Sequence, residues 1–186
     1  MRFERALRLA IRAYQQEAGP KHWDLELRLL KELRGCRSIG RSDLEHVADW
    51  KTGGRTRPLV GGNRAEDVRR ITRKAFAERD IEKRISLLVE GDERGRLQGV
   101  GFPMASSLMM YQDSGHCTVL DTNAWFVLEK IGVLDEEPWT YEAHDYSRYL
   151  EQCWKLANRM GLELRDLDRG LWVLGSCRWT AALWSE

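Results

Sequence analysis

The chain has 186 residues, 42% of them hydrophobic, which suits one moderately large domain or two small lobes around a shared core. Its 30 basic and 29 acidic side chains nearly cancel, so any affinity for a polyanion has to come from a local patch rather than from net charge. No apolar run approaches membrane-spanning length, and the opening MRFERALRLA alternates charged and apolar groups instead of forming a signal-peptide core; no membrane association and a cytoplasmic location are expected.

Strand signals are nearly absent, and helical spacing recurs along the chain. Residues 2–17 place Phe3, Leu7, Ala10 and Tyr14 on one face and stop at Gly19-Pro20. A second helix is predicted over 22–34, from Trp23 to a stop at Gly35. A third, over 42–50, is expected to be capped by Ser42, with Asp43 and Glu45 in its first turn. WKTGGRTRPLVGGN (50–63), with two Gly-Gly pairs and Pro58, reads as a long irregular loop. Helices are then predicted over 64–78 and 80–90. GDERGR breaks the pattern, and helices over 102–111, 122–131, 141–160 and 164–175 complete an all-α chain. LRDLDRGLWVLG, at the last of these, reads as structural: its leucines and Trp172 pack, and Arg165 or Arg169 pairs with an acid in the core. Most of the eight tryptophans, Trp179 and Trp184 among them, are expected to anchor the core or a seam between lobes.

The four cysteines, Cys36, Cys117, Cys153 and Cys177, form no CxxC pair and lie at no ligand spacing from a histidine. Neither a zinc site nor an iron–sulfur cluster is expected, and in a reducing compartment no disulfide either. Charge is uneven, however. From Lys51 to Lys74 eight basic residues face only Glu66 and Asp67, a patch suited either to a polyanion or to solvent.

Residues 97–128, LQGVGFPMASSLMMYQDSGHCTVLDTNAWFVL, carry the sharpest signal. Gly99-Val100-Gly101 permits a tight turn between two helices, with Val100 directed inward. The first amides of the following helix lack intrahelical acceptors, which favours a phosphate there; a plain helix–helix connection is the alternative. Asp121 stands between the apolar pair Val119-Leu120 and the next helix. It is placed either to cap that helix at Thr122 or to work as a lone carboxylate, and the two roles are compatible.

This stretch resembles the helix-hairpin-helix DNA glycosylase superfamily. Leu97, Gly99, Val100 and Gly101 match the family's hairpin, Ala105 its small residue four positions on, and Leu120-Asp121-Thr122 its downstream acid before a helix. The resemblance is strong over these 32 residues and extends to the rest of the chain only in helical class. It implies one unit over 1–186 with two helical lobes, a hairpin at about 82–111 and a DNA-facing pocket between the lobes. It also implies double-stranded DNA as partner, a monomer, no catalytic metal, and a monovalent cation shared by the hairpin and a phosphate.

In strand-cleaving members a lysine stands two residues after the second hairpin glycine, where this chain has Pro103, which cannot form an imine. The family's C-terminal cysteine cluster is missing too. A monofunctional glycosylase is therefore expected, or one whose amine comes from elsewhere, Lys51 being the alternative. Asp121 would stabilise the cationic sugar and orient water. Gly99, Val100, Gly101, Lys51, Arg55, Arg57 and Arg64 would meet the DNA backbone. Trp50, His22, Trp23 and Trp125, with Tyr14, are the candidates for holding an extruded base. The competing expectations are a helix-hairpin-helix protein that binds DNA without chemistry, and a helical protein-interaction domain.

Overall fold

The computed structural model describes residues 2–176; Cys177, Trp179 and Trp184 lie outside them. Among the described residues the chain is helical, with no strand and a single isolated bridge between Asp92 and Gly95. The all-α expectation therefore holds.

Helix α1 (Arg2–Ala18) ends where Gly19 takes a left-handed φ of +82°, and Pro20 opens α2 (Pro20–Leu33), where its missing N–H is no loss. α3 (Arg41–Thr52) begins earlier than its sequence suggests. Its cap is Gly40, not Ser42: Asp43, in the first turn, reaches back to accept the Gly40 N–H at 2.8 Å.

The stretch expected to be irregular contains α4 (Arg57–Gly61), with Pro58 in its first turn. α5 (Ala65–Ala77) and α6 (Ile81–Val89) follow, and a connection over 90–101 leads to α7 (Phe102–Gln112). α8 (Thr122–Lys130), α9 (Ala143–Met160) and α10 (Leu164–Gly175) complete the fold.

α7 is the central element. Every residue from Met104 to Tyr111 is buried, as an apolar run without a polar face requires, and α2, α3, α6 and α9 pack around it. α10 lies against both α1 and α8. Its glycines allow the approach. A Cβ on Gly170 would sit 2.6 Å from the Leu7 side chain, and one on Gly175 would run into the Asn123 backbone. The result brings α1, α2 and α10 to face the end of α3 and the turn that opens α8.

Candidate functional site

The turn at Gly99-Val100-Gly101 is fixed from behind. Gly99 has φ +74°, and a Cβ there would press on Leu59 and Val60 of α4 at 3.0 Å. Val100 is buried, whereas nothing lies within 4 Å of where a Gly101 Cβ would be. Asn63, itself buried, accepts the Gln98 N–H at 2.7 Å and donates to the Gln98 carbonyl at 3.0 Å, so one side-chain amide clamps the turn. Farther out, Arg70 and Lys74 of α5 both bind Asp92, and those hydrogen bonds hold its carboxyl below the usual range. Two cations of the basic patch are thus committed to holding the connection.

From the turn, α7 leads to an extended segment, 117–121, that carries Asp121. Ser106 on α7 bridges the two: its hydroxyl donates to the Pro103 carbonyl at 2.9 Å and accepts the Leu120 N–H at 2.9 Å. Tyr146 of α9 donates to the Thr118 carbonyl at 3.0 Å. The position of Asp121 is therefore set by three elements. One of its carboxylate oxygens caps α8 by accepting the Asn123 N–H at 3.0 Å. The other faces Lys51 Nζ at 2.6 Å, and the same ammonium lies 3.4 Å from the Leu120 carbonyl. Both side chains are mostly covered, at 11% and 18% exposure, and both line a cavity of about 440 Å³, counted with its open mouth.

The opposite wall comes from α1, α2 and α10: Tyr14, His22, Arg165, Asp168 and Trp172. Beneath it lies a charge cluster centred on Glu26. This fully buried carboxylate accepts Arg165 at 2.7 and 3.2 Å, Arg169 at 2.6 and 2.9 Å and the Tyr14 hydroxyl at 2.6 Å. Burial alone would raise the Glu26 carboxyl, but the two guanidinium groups and the phenol outweigh it and hold it at about 2. Asp168 also pairs with Arg165, yet burial dominates there and lifts its carboxyl to about 6. Burial likewise lowers the His22 imidazole, which favours its neutral form. His22 stacks on Trp50 with ring centroids 5.2 Å apart, and the Arg165 guanidinium lies 5.2 Å over the same indole.

The structure sorts the sequence candidates. Asp121, Lys51, Trp50 and His22 meet at the cavity, with Tyr14. Trp125 does not: it is a core residue, stacked on Tyr149 and donating to the Asp135 carbonyl at 3.0 Å. Trp23 packs behind the cavity wall, beside Tyr14 and under Arg169. Lys51 turns inward to Asp121 instead of outward to a phosphate, and Arg57 is taken up by Glu45 and Asp49. Arg55 is exposed, its Nε directed to the Thr52 carbonyl, and Arg64 is exposed beside an equally exposed Glu66. Arg165, Asp168 and Trp172, read from the sequence as structural, line the cavity. Their one sequence signal was an acid–base pair inside an apolar helix, which points equally to an ion pair in the core.

Among the described residues, no three His, Cys, Asp or Glu side chains are grouped to hold a metal ion. No family model matches the chain, and no curated protein or solved structure matches it.

Proposed function

We propose that the chain is a DNA glycosylase of the helix-hairpin-helix type, in which two helical lobes meet at the cavity and Asp121 supports loss of the base. The observation that carries this reading is the placement of Asp121. A glycine turn backed by α4 stands one buried helix away from a carboxylate at the mouth of a mixed polar and aromatic cavity, and Ser106 ties the two together.

In this reading the amides that open α7 and the exposed Gly101 meet a phosphate of duplex DNA. Among the described residues the Gly99 and Val100 carbonyls accept no hydrogen bond, so they fit a monovalent cation shared with that phosphate. The extruded base enters against His22 and Trp50, with the Asp168 carboxyl available to its polar edge. As the C1′–N bond lengthens, positive charge grows on the sugar, and the Asp121 carboxylate stabilises it and orients the attacking water. The product is an abasic site. Pro103, at the position of the family's hairpin lysine, contributes no amine.

The test is abasic-site formation on duplexes carrying a panel of damaged and modified bases, read by alkali cleavage, with Asp121→Asn alongside. The wild type should produce alkali-sensitive breaks, and the variant should lose them by on the order of 10²–10³-fold with binding retained. Salt-sensitive binding without breaks would replace this reading with a non-catalytic DNA-binding module. No DNA affinity at all would point to a protein-interaction domain.

A further inference from the structure

We propose that the cavity reads a nucleobase through two bare acceptors, Asp168 Oδ1 and His22 Nδ1, and so takes a base whose inward edge carries an exocyclic amino group in preference to one that carries a carbonyl there. The inference rests on reading the cavity as a base-holding site. It does not rest on the bond to the sugar being cut.

The hydrogen bonds of the wall carry it. Asp168 is 3% exposed, and only its Oδ2 is engaged, by Arg165 Nη1. The other nitrogens of Arg165 are directed to Glu26 and to the Tyr14 oxygen. Asp168 Oδ1 has no hydrogen-bond partner among the described residues, yet it keeps some surface of its own. Its open side is therefore the cavity that Asp168 lines. With Arg165 beside it, the carboxyl is ionised at neutral pH and can only accept.

The tautomer of His22 follows from its neighbour. The Tyr14 hydroxyl has one proton and gives it to Glu26 across 2.6 Å. The same oxygen lies 3.4 Å from His22 Nε2, so in this contact the ring nitrogen is the donor. Burial favours the neutral imidazole, which has a single N–H, and Nδ1 is left with a bare lone pair. The indole N–H of Trp50 is also unpartnered, but it has no surface and cannot meet a ligand.

A covered carboxylate oxygen discriminates sharply between these two edges. An amino N–H replaces the hydrogen bond lost when the base displaces water, and the second amino hydrogen is available to His22. A carbonyl in the same place leaves Oδ1 unpaired and sets two negative oxygens against each other.

The experiment titrates the full chain calorimetrically, at neutral pH, with free adenine, purine and hypoxanthine. These rings carry at one position an amino group, a hydrogen and a carbonyl. Cytosine and uracil provide the same contrast in a single ring. The amino-bearing base should bind on the order of 10-fold or more tighter than its carbonyl counterpart. In Asp168→Asn the amide oxygen can keep the Arg165 contact, which turns the amide N–H groups to the cavity, so the order should reverse. His22→Phe keeps an aromatic ring on Trp50 but removes the second acceptor, and should narrow the preference. Equal or reversed binding in the wild type, no binding of any base at millimolar concentration, or an order unchanged in a folded Asp168→Asn would each overturn the inference. Preferred binding of amino-bearing bases with no abasic site formed on any duplex removes the glycosylase and leaves this inference. Abasic sites formed as readily at carbonyl-edged as at amino-bearing bases do the reverse.

Discussion

A carboxylate with no exposed surface, Glu26, faces two guanidinium groups and a phenol, and every group that touches it lies on a helix that shapes the cavity wall. Its carboxyl is held at about 2, below its ordinary value of 4.5. The unfolded chain therefore binds more protons between those values. The contribution of Glu26, on the order of 3 kcal/mol, is complete above pH 4.5 and is lost as the pH falls towards 2. Asp168 works in the opposite direction: with its carboxyl raised to about 6, the folded state binds the extra proton, and stability declines as pH rises from 3.8 to 6. Urea unfolding across pH 2–7 should show both slopes, and Glu26→Gln should reduce the acid-side loss by the share that Glu26 carries while lowering stability at neutral pH. An unchanged acid limb in that variant would contradict the assignment. The sequence led us to expect Arg165 or Arg169 to pair with an acid in the core, but not which acid. Glu26 lies 139 residues from Arg165, and a glutamate in DLELRLLKEL looks like any solvent-facing position. Asp121, by contrast, was legible, because a cap is a local feature.

At the scale of elements, the hairpin is a composite. α4 backs Gly99, Asn63 closes both backbone groups of Gln98, and α5 grips Asp92. Asn63→Ala removes the side-chain partner of the Gln98 N–H and C=O at a part-buried position. It should cost about 1 kcal/mol and, if the turn meets DNA as proposed, weaken duplex binding more than it slows turnover on saturating DNA. Thermal melting and a binding titration read the two effects separately, and a melting temperature equal to the wild type would show that the clamp is not needed. Most helices were visible in the sequence to within a few residues because amphipathic spacing is dictated by burial. α4 was not, since five residues between Gly-Gly pairs carry too little periodicity, and Pro58 marks a loop and a helix start equally well. The 102–112 helix was placed correctly, but its central position follows only from neighbours that local patterning does not specify.

For the molecule as a whole, the basic patch is smaller than its composition suggests. Lys51, Arg57, Arg70 and Lys74 are all held by acids of the chain and Arg64 pairs with Glu66, which leaves Arg55, Arg69 and Arg73 exposed for a phosphate backbone. If those three make contact, the logarithm of duplex affinity should fall against the logarithm of salt concentration with a slope on the order of −3. A fluorescence titration at several salt concentrations measures it, and a flat response would remove DNA as the partner. The seam between the two ends of the chain also lay beyond sequence reading, because Gly170 and Gly175 look like weak points in a helix until α1 and α8 are seen pressed against them.

That contact between the first helix and the last sets an order of events during synthesis. The apolar stripe of α1, with Leu7 and Ala10, waits for α10, more than 150 residues later, before it is covered on that side. Such distant partners fold late, since a long loop must close before any contact rewards it. On the ribosome the hairpin and its backing helix can form while the opposing wall is still unmade. An emerging chain would then present the glycine turn and its supports well before Arg165 and Asp168 arrive to complete the cavity.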